Sequence, residues 1–370
     1  MQPILIGSEI YRRSSFGGKH PLSIPRVSTA LDLIRALGWV DSAQYRDSPR
    51  ASAAELTRFH APDYVAALER AQAMQSVDEA DRARFDIGAR GNPVYAQMFD
   101  RPRTGAGGLL LAAELTRQGG VVHVPGAGTH HGQPDRASGF CYLNDVVLGI
   151  LAWLDQGLER VLYLDLDAHH GDGVEAAFAA DPRVMTISVH EAGRWPFTGS
   201  DSRAGARNIA VPEAYSEAEA DWVLRAAILP LIRYWQPQAI LVQAGADSLA
   251  EDPLARLALS NNAYCRTLEA VMGLAPRLIV TGGGGYNPWS VGRCWAGLWG
   301  VLNGLVAPER LPPEAEAVLR ALTWSRSAGH APPDHWFTTL RDPPQPSTPV
   351  RPEVVEICEA VMRDLPQSVT

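Results

Sequence analysis

The chain has 370 residues, 46% of them apolar and 20% charged, with a formal net charge of −8 at pH 7. That composition is globular rather than disordered, and its acidic balance offers no overall basic field to nucleic acid or an anionic membrane. No run reaches the ~18 apolar residues of a membrane span. The four cysteines (Cys141, Cys265, Cys294, Cys358) form no C-x-x-C pair, so a reducing cytoplasm is the expected location. The first residues lack the basic stretch and cleavage site of a secretory signal.

In chain order, residues 4–6 read as a short strand. Residues 25–37 read as a helix, with proline in the first turn and Gly38 as its stop. Residues 62–75 form a second helix of the same kind. The runs 121–124, 160–165, 183–189, 239–243 and 277–281 are brief and apolar without clean alternation, as expected of strands buried on both faces. Helical patterns over 143–155, 173–180, 216–235, 261–274 and 289–305 separate most of them. This rhythm predicts one α/β domain over residues 1–370, with a mostly parallel sheet covered by helices. Residues 331–352 are rich in proline and are expected to wrap the surface ahead of a last helix over 353–365.

Four polar clusters follow directly on predicted strands. They are Gly126-Ala127-Gly128-Thr129-His130-His131-Gly132, Asp165-Leu166-Asp167-Ala168-His169-His170-Gly171-Asp172-Gly173, Ala244-Gly245-Ala246-Asp247 and Gly282-Gly283-Gly284-Gly285-Tyr286. The carboxyl ends of parallel strands form the ligand-binding edge of such sheets, so the four should converge on one site. Asp167 and His169 are two apart and can point the same way as their strand runs out. With Asp247 they supply one nitrogen and two carboxylates, a three-ligand set that leaves a metal open to water and substrate. The alternative is an acidic strand end that caps the next helix. His130 and His131 suit acid–base work beside a divalent metal, and Asp165 and Asp172 are available to orient their far nitrogens. The glycine run before Tyr286 lacks the Gly-Lys-Ser/Thr ending of a phosphate loop. Close backbone approach is the better reading, with the Tyr286 hydroxyl placed to donate to a developing oxyanion. Gly139-Phe140-Cys141-Tyr142 and Trp195-Pro196-Phe197 offer either ordinary core or the walls of a narrow apolar channel.

Together these motifs resemble the arginase–deacetylase superfamily, and within it the zinc-dependent histone deacetylases and their bacterial homologues of the acetoin-utilisation type. The match runs from His20-Pro21-Leu22-Ser23-Ile24-Pro25-Arg26 through Phe59-His60-Ala61-Pro62-Asp63-Tyr64 to Gly285-Tyr286-Asn287, nearly the whole chain. The resemblance implies a three-layer α/β/α fold around an eight-stranded sheet. It implies that Asp167, His169 and Asp247 hold a catalytic Zn2+. His131 would act as general base, paired with Asp172, and His130 as its electrostatic partner, oriented by Asp165; which histidine moves the proton stays open. Tyr286 would polarise the acyl carbonyl. Phe140 and Trp195 would flank the substrate tunnel, with Leu254 at its wall and Gly128, Cys141 and Gly284 along it. Trp195 stands where many relatives carry phenylalanine. Arg26 would lie beneath the metal, in an internal pocket for departing acetate. Structural K+ or Na+ ions would sit at Asp165, Asp167, His169 and Ser188, and near Phe178 and Val184.

One departure stands out. The acidic rim residue that clamps substrate backbone amides in eukaryotic relatives falls at Gly91 here, beside Arg90; Glu191 or Asp100 is then a candidate rim carboxylate. The function expected is zinc-dependent removal of acetyl, or larger acyl, groups from the lysine ε-amine of proteins or peptides. No nucleic-acid or membrane partner is expected. The alternatives are a small-molecule deacylase, acting on acetylpolyamines or another acetylated metabolite, and a catalytically silent acyl-lysine-binding protein.

Overall fold

A computed structural model describes residues 2–17, 20–89 and 91–363. Its sheet contains β1 (Ile4–Gly7), β2 (Tyr45–Asp47), β3 (Gly120–Val124), β4 (Val161–Asp165), β5 (Val184–Glu191), β6 (Ala206–Val211), β7 (Ala239–Gln243) and β8 (Arg277–Thr281). The strand order is β2-β1-β3-β8-β7-β4-β5-β6, and every neighbouring pair is parallel. Such a sheet needs cover on both faces, and the side chains divide accordingly. Leu162, Leu164, Val242 and Val280 enter one core, whereas Val161, Tyr163, Leu241 and Ile279 enter the other. Helices Val27–Ala36, Asn261–Val271 and Pro288–Leu302 cover the first face; Asp100–Leu115 and Asp145–Asp155 cover the second. The expected three-layer α/β/α architecture is present. The four strands that carry the polar clusters are consecutive, β3-β8-β7-β4, so their carboxyl ends lie side by side.

Two strands and one long helix have no strong pattern in the sequence. Strand β2 has only three residues. Strand β6 carries Arg207 and Asn208, yet both are buried: Arg207 donates to the carbonyls of Val361 and Arg363, each at 3.4 Å, and Asn208 donates to Glu175 at 2.8 Å. Helix Asp100–Leu115 contains Pro102 and three glycines, which read as breakers. In the fold, a Cβ at Gly107 would collide with the Pro49 carbonyl and one at Gly105 with the Asp145 carboxylate. The glycines let this helix lie close to its neighbours. The predicted helix over 216–235 is divided into Glu217–Val223 and Leu229–Trp235 by a wider turn, Leu224–Ile228, just ahead of Pro230.

Residues 331–352 do more than wrap the surface. Trp336 stacks on Trp289 with ring centroids 5.3 Å apart, Leu340 is buried, and Asp342 pairs with the buried Arg293 at 2.7 Å. The last helix, Pro352–Met362, packs Val354, Cys358 and Val361 into the same core. The four cysteines are free and buried. No helix among the described residues is long and apolar enough to cross a membrane.

Candidate active site

Asp167 and His169 leave the end of β4, and Asp247 lies in the short turn Ala246–Ser248 after β7. Their ligand atoms all lie within 4.8 Å of one another, and all three residues are buried. His169 Nδ1 is 2.9 Å from Asp247 Oδ2 and 3.3 Å from Asp167 Oδ1. Backbone donors aim the carboxylates: Gly284 N–H donates to Asp167 Oδ2 at 2.7 Å and Ala168 N–H to Asp247 Oδ1 at 2.9 Å. A Cβ at Gly245 would strike Asp167, and one at Gly284 would strike Asp247. Close backbone approach, read from the glycine run, is therefore what these positions require.

The charges of this cluster fit a cation. Burial and the neighbouring Asp167 push the Asp247 carboxyl up. His169 is raised to about 10 against the effect of burial, because both carboxylates hold its proton. A buried pocket that grips a positive charge this way, with one borderline nitrogen and two hard oxygens, suits zinc by donor type.

The tandem histidines sit in the turn after β3. His130 Nδ1–H donates to Asp165 Oδ2 at 2.8 Å, and the Tyr163 hydroxyl donates to the same oxygen at 2.7 Å. His131 Nδ1–H donates to Asp172 Oδ1 at 2.7 Å, and Gln133 donates to the other oxygen at 3.1 Å. Both Nε2 atoms are left for the site. The two rings lie 4.0 Å apart, but their environments push them in opposite directions. Burial disfavours charge on His130, yet Asp165 and Asp167 outweigh it and lift the pKa to about 9. For His131, burial and then the charge of His130 push it down to about 3. One imidazole is held protonated beside one held neutral.

An inner chamber of about 40 Å³ joins His130, His131, Asp167, Tyr286, Arg26 and Cys141, with Gly128 and Gly284 among its walls. Burial raises the Tyr286 hydroxyl well above its usual range, so it stays a proton donor. Arg26 is half-buried, and desolvation lowers it to about 10; its Nη1 donates to the Gly283 carbonyl at 2.7 Å, while its buried Nε has no partner among the described residues. Outside lies a vestibule of about 540 Å³. Phe140, Trp195, Leu254, His131, His169 and Tyr286 all face it. Trp195 stands edge-on to His131 at 4.6 Å, and Phe140 edge-on to Tyr286 at 6.0 Å.

Ser188 lies opposite Asp165 across β4 and β5. Phe178 and Val184 are in the apolar core, away from the chamber, so only their carbonyls are available to a cation. The rim differs from expectation. Glu191 is buried and paired with Arg194, and Asp100 pairs with Arg50 and Arg103, so neither is a free rim carboxylate. Instead Asp86 lines the vestibule, beside Gly91 and Asn92. Arg90 lies outside the described residues.

Several supporting residues carried little signal in sequence. Asp252 accepts from the backbone N–H of Tyr286 at 2.6 Å and of Leu254 at 2.8 Å, fixing tyrosine and wall together. Gln243 donates to the Gly128 carbonyl at 2.8 Å, and Asp145 accepts from Gly128 and Thr129. Asn144, inside the helix expected over 143–155, is instead the N-cap of helix Asp145–Asp155, and it also donates to the carbonyls of His130 and Gly132.

Carboxylate-backed histidines beside a buried Asp-His-Asp cluster, at the strand ends of a parallel sheet, are the marks of a hydrolase site. The histone deacetylase domain model matches residues 20–302. The chain is 32% identical to the acetoin utilization protein AcuC of Bacillus subtilis over 372 residues, covering 95% of this chain and 94% of that protein. It is 36% identical to histone deacetylase 9 of Arabidopsis thaliana, covering 80% of this chain and 72% of that protein, and it spans 61% of the putative histone deacetylase 2 of Caenorhabditis elegans. The crystal structure of an HDAC homolog from Aquifex aeolicus superposes with a TM-score of 0.92 at 32% identity, covering 98% of this chain and all of that one. The crystal structure of an HDAC homolog complexed with SAHA matches to the same extent. The chain belongs to the histone deacetylase family, a family of zinc-dependent hydrolases acting on acetylated substrates.

Proposed function

We propose that residues 1–370 act as a single catalytic unit, a zinc-dependent amidohydrolase that removes acetyl groups from the ε-nitrogen of lysine in proteins or peptides. The observation that carries this reading is the placing of His130 and His131, each hydrogen-bonded to its own carboxylate, beside the Asp167, His169 and Asp247 cluster. Zinc held by those three residues would polarise the acyl carbonyl and make water acidic near neutral pH. His131, held neutral, accepts the proton of the attacking water and returns it to the departing amine. His130, held protonated by Asp165, stabilises the negative charge that develops beside it. Tyr286 donates its hydroxyl proton to the carbonyl oxygen as that oxygen becomes an oxyanion. Arg26 gives the carboxylate product a cationic partner. Phe140 and Trp195 enclose the methylene stem and exclude water from the chamber.

Monovalent K+ or Na+ would be held by the β4–β5 end at Asp165, Asp167, His169 and Ser188, and by carbonyls near Phe178 and Val184. Four buried free cysteines favour the cytoplasm as the place of action. A small-molecule reading has one observation in its favour, the carboxylate of Asp86 at the rim, which would attract an acetylpolyamine. The test is a panel of acyl-lysine peptides and acetylpolyamines, with zinc content measured on the same preparation. Faster turnover of acetylpolyamines would replace the lysine reading; no turnover by zinc-loaded protein that binds acyl-lysine tightly would make it a silent binding protein.

A further inference from the structure

The vestibule has two walls, and each ends in a charged group. On the Trp195 side stands Arg194. Its Nε and Nη2 donate to the two oxygens of Glu191, at 2.9 and 2.5 Å. Glu191 is itself only 5% exposed and also accepts the Arg256 N–H at 2.9 Å, so it anchors the guanidinium firmly. Nη1 has no hydrogen-bond partner among the described residues, while the arginine lines the vestibule. An arginine normally gives up considerable rotamer freedom on binding a ligand, and this one has already given it up. On the Phe140 side stands Asp86. Its Oδ2 accepts from Asn92 Nδ2 at 3.1 Å, and Asn92 Oδ1 accepts the Phe140 N–H at 3.1 Å, tying the carboxylate to that wall. Among the described residues lining the vestibule, histidines aside, no other side chain carries a formal charge.

A lysine stem inside the channel delivers its α-carbon, with one nitrogen and one carbonyl or carboxylate, to this mouth. We propose that Arg194 and Asp86 are the specificity-determining pair for that α-amino-acid frame: Arg194 donates to the carboxylate or carbonyl oxygen and Asp86 receives the α-nitrogen. The inference rests on the amidohydrolase reading above and names its substrate class. An acylpolyamine presents only nitrogens and has nothing to offer Arg194. Because Glu191 neutralises Arg194, the discrimination acts at hydrogen-bond range and survives high salt better than charge steering would. The shared chemistry covers free Nε-acetyl-lysine and acetyl-lysine within a peptide.

The experiment compares kcat/KM for wild type, Arg194→Leu and Asp86→Asn on four probes. These are Nε-acetyl-lysine, its methylamide with an acetylated α-nitrogen, 6-acetamidohexanoate, which lacks the α-nitrogen, and N-acetylcadaverine, which lacks the carboxylate. Arg194→Leu is expected to lower the first three by about 10-fold or more, the usual worth of a hydrogen bond to a charged group, and to leave N-acetylcadaverine within about 2-fold. Asp86→Asn is expected to lower the three probes that carry an α-nitrogen and to spare 6-acetamidohexanoate. A larger Arg194→Leu effect on free acetyl-lysine than on the methylamide identifies the carboxylate as the group read; the reverse identifies the peptide carbonyl. An equal fall on all four probes, or none on any, overturns the proposal and leaves the amidohydrolase reading standing. Wild-type enzyme that turns over none of the four removes both.

Discussion

The inner chamber and the vestibule outside it are built by different means. The chamber is walled by side chains that leave adjacent strand ends, and its carboxylates and imidazoles each have a defined partner. The vestibule is walled by loops, and one of them holds an aromatic wall residue in left-handed backbone, Phe140 at φ 68°. Such a conformation costs a non-glycine residue roughly 1–2 kcal/mol, so the surrounding packing must hold it in place. Rigid strand ends fix the reacting geometry, while loops set which substrate reaches it. Damage to the chamber should therefore fall on kcat and metal, and damage to the vestibule on KM and selectivity.

The largest effect is expected from Asp247→Ala, which removes one member of the Asp-His-Asp cluster proposed to hold zinc. Zinc should be lost from the purified protein, and turnover should fall by ~1,000-fold or more, as expected when several kcal/mol of charge stabilisation disappears. A chelator should do the same to the wild type, with added zinc restoring wild type alone. Stoichiometric zinc with normal turnover in the variant would remove Asp247 from the ligand set.

Tyr286→Phe probes the chamber without touching the metal. Loss of one oxyanion donor should lower kcat by about 100- to 1,000-fold, with zinc content and substrate affinity nearly unchanged. A variant within a few-fold of wild type would break the assignment of Tyr286 to the oxyanion. Trp195→Ala carries the comparison to the vestibule. Trp195 is 37% exposed and lines the vestibule. Removing it should lower kcat/KM by roughly 10-fold, chiefly through KM, since several methylenes lose one wall at ~0.8 kcal/mol per fully buried group. A fall confined to kcat would mean that Trp195 serves His131 rather than the substrate stem.

The same division explains what could be read in the sequence. Chamber residues were legible because each follows a buried apolar strand, and a charged residue at such a place stands out. Asp167, His169, Asp247, His130, His131 and Tyr286 came into one site for that reason. Rim residues follow no periodic element. Asp86 closes a short helix in left-handed conformation, and Glu191 pairs with Arg194 where it had looked like a rim acid. Helix Asp100–Leu115 was illegible for a packing reason, since its glycines serve neighbours far away in sequence. Asp252 was illegible because its partners are backbone N–H groups.

The smallest effect tests how the chamber is supported from behind. His60 uses both ring nitrogens in its neutral form: Nδ1–H donates to the Gln133 carbonyl at 3.0 Å, and Nε2 accepts the Asn144 N–H at 2.9 Å. Asn144 in turn holds the carbonyls of His130 and Gly132, so His60 braces the turn that carries both chamber histidines. Protonation at Nε2 would set one N–H against another. Burial agrees, lowering the pKa from 6.5 to about 4 in the folded chain. Between those two values the unfolded chain binds the extra proton and the folded chain does not. Stability from His60 is therefore complete above pH 6.5 and declines as the pH falls toward 4, at up to about 1.4 kcal/mol per pH unit. In His60→Gln the amide keeps one of the two hydrogen bonds and cannot titrate. Denaturant unfolding of both proteins from pH 7 to pH 4 should show the variant less stable at pH 7, by about 1 kcal/mol for the lost bond, and with the shallower decline. Parallel declines would mean that His60 titrates alike in folded and unfolded chains, and that the brace does not depend on a neutral ring.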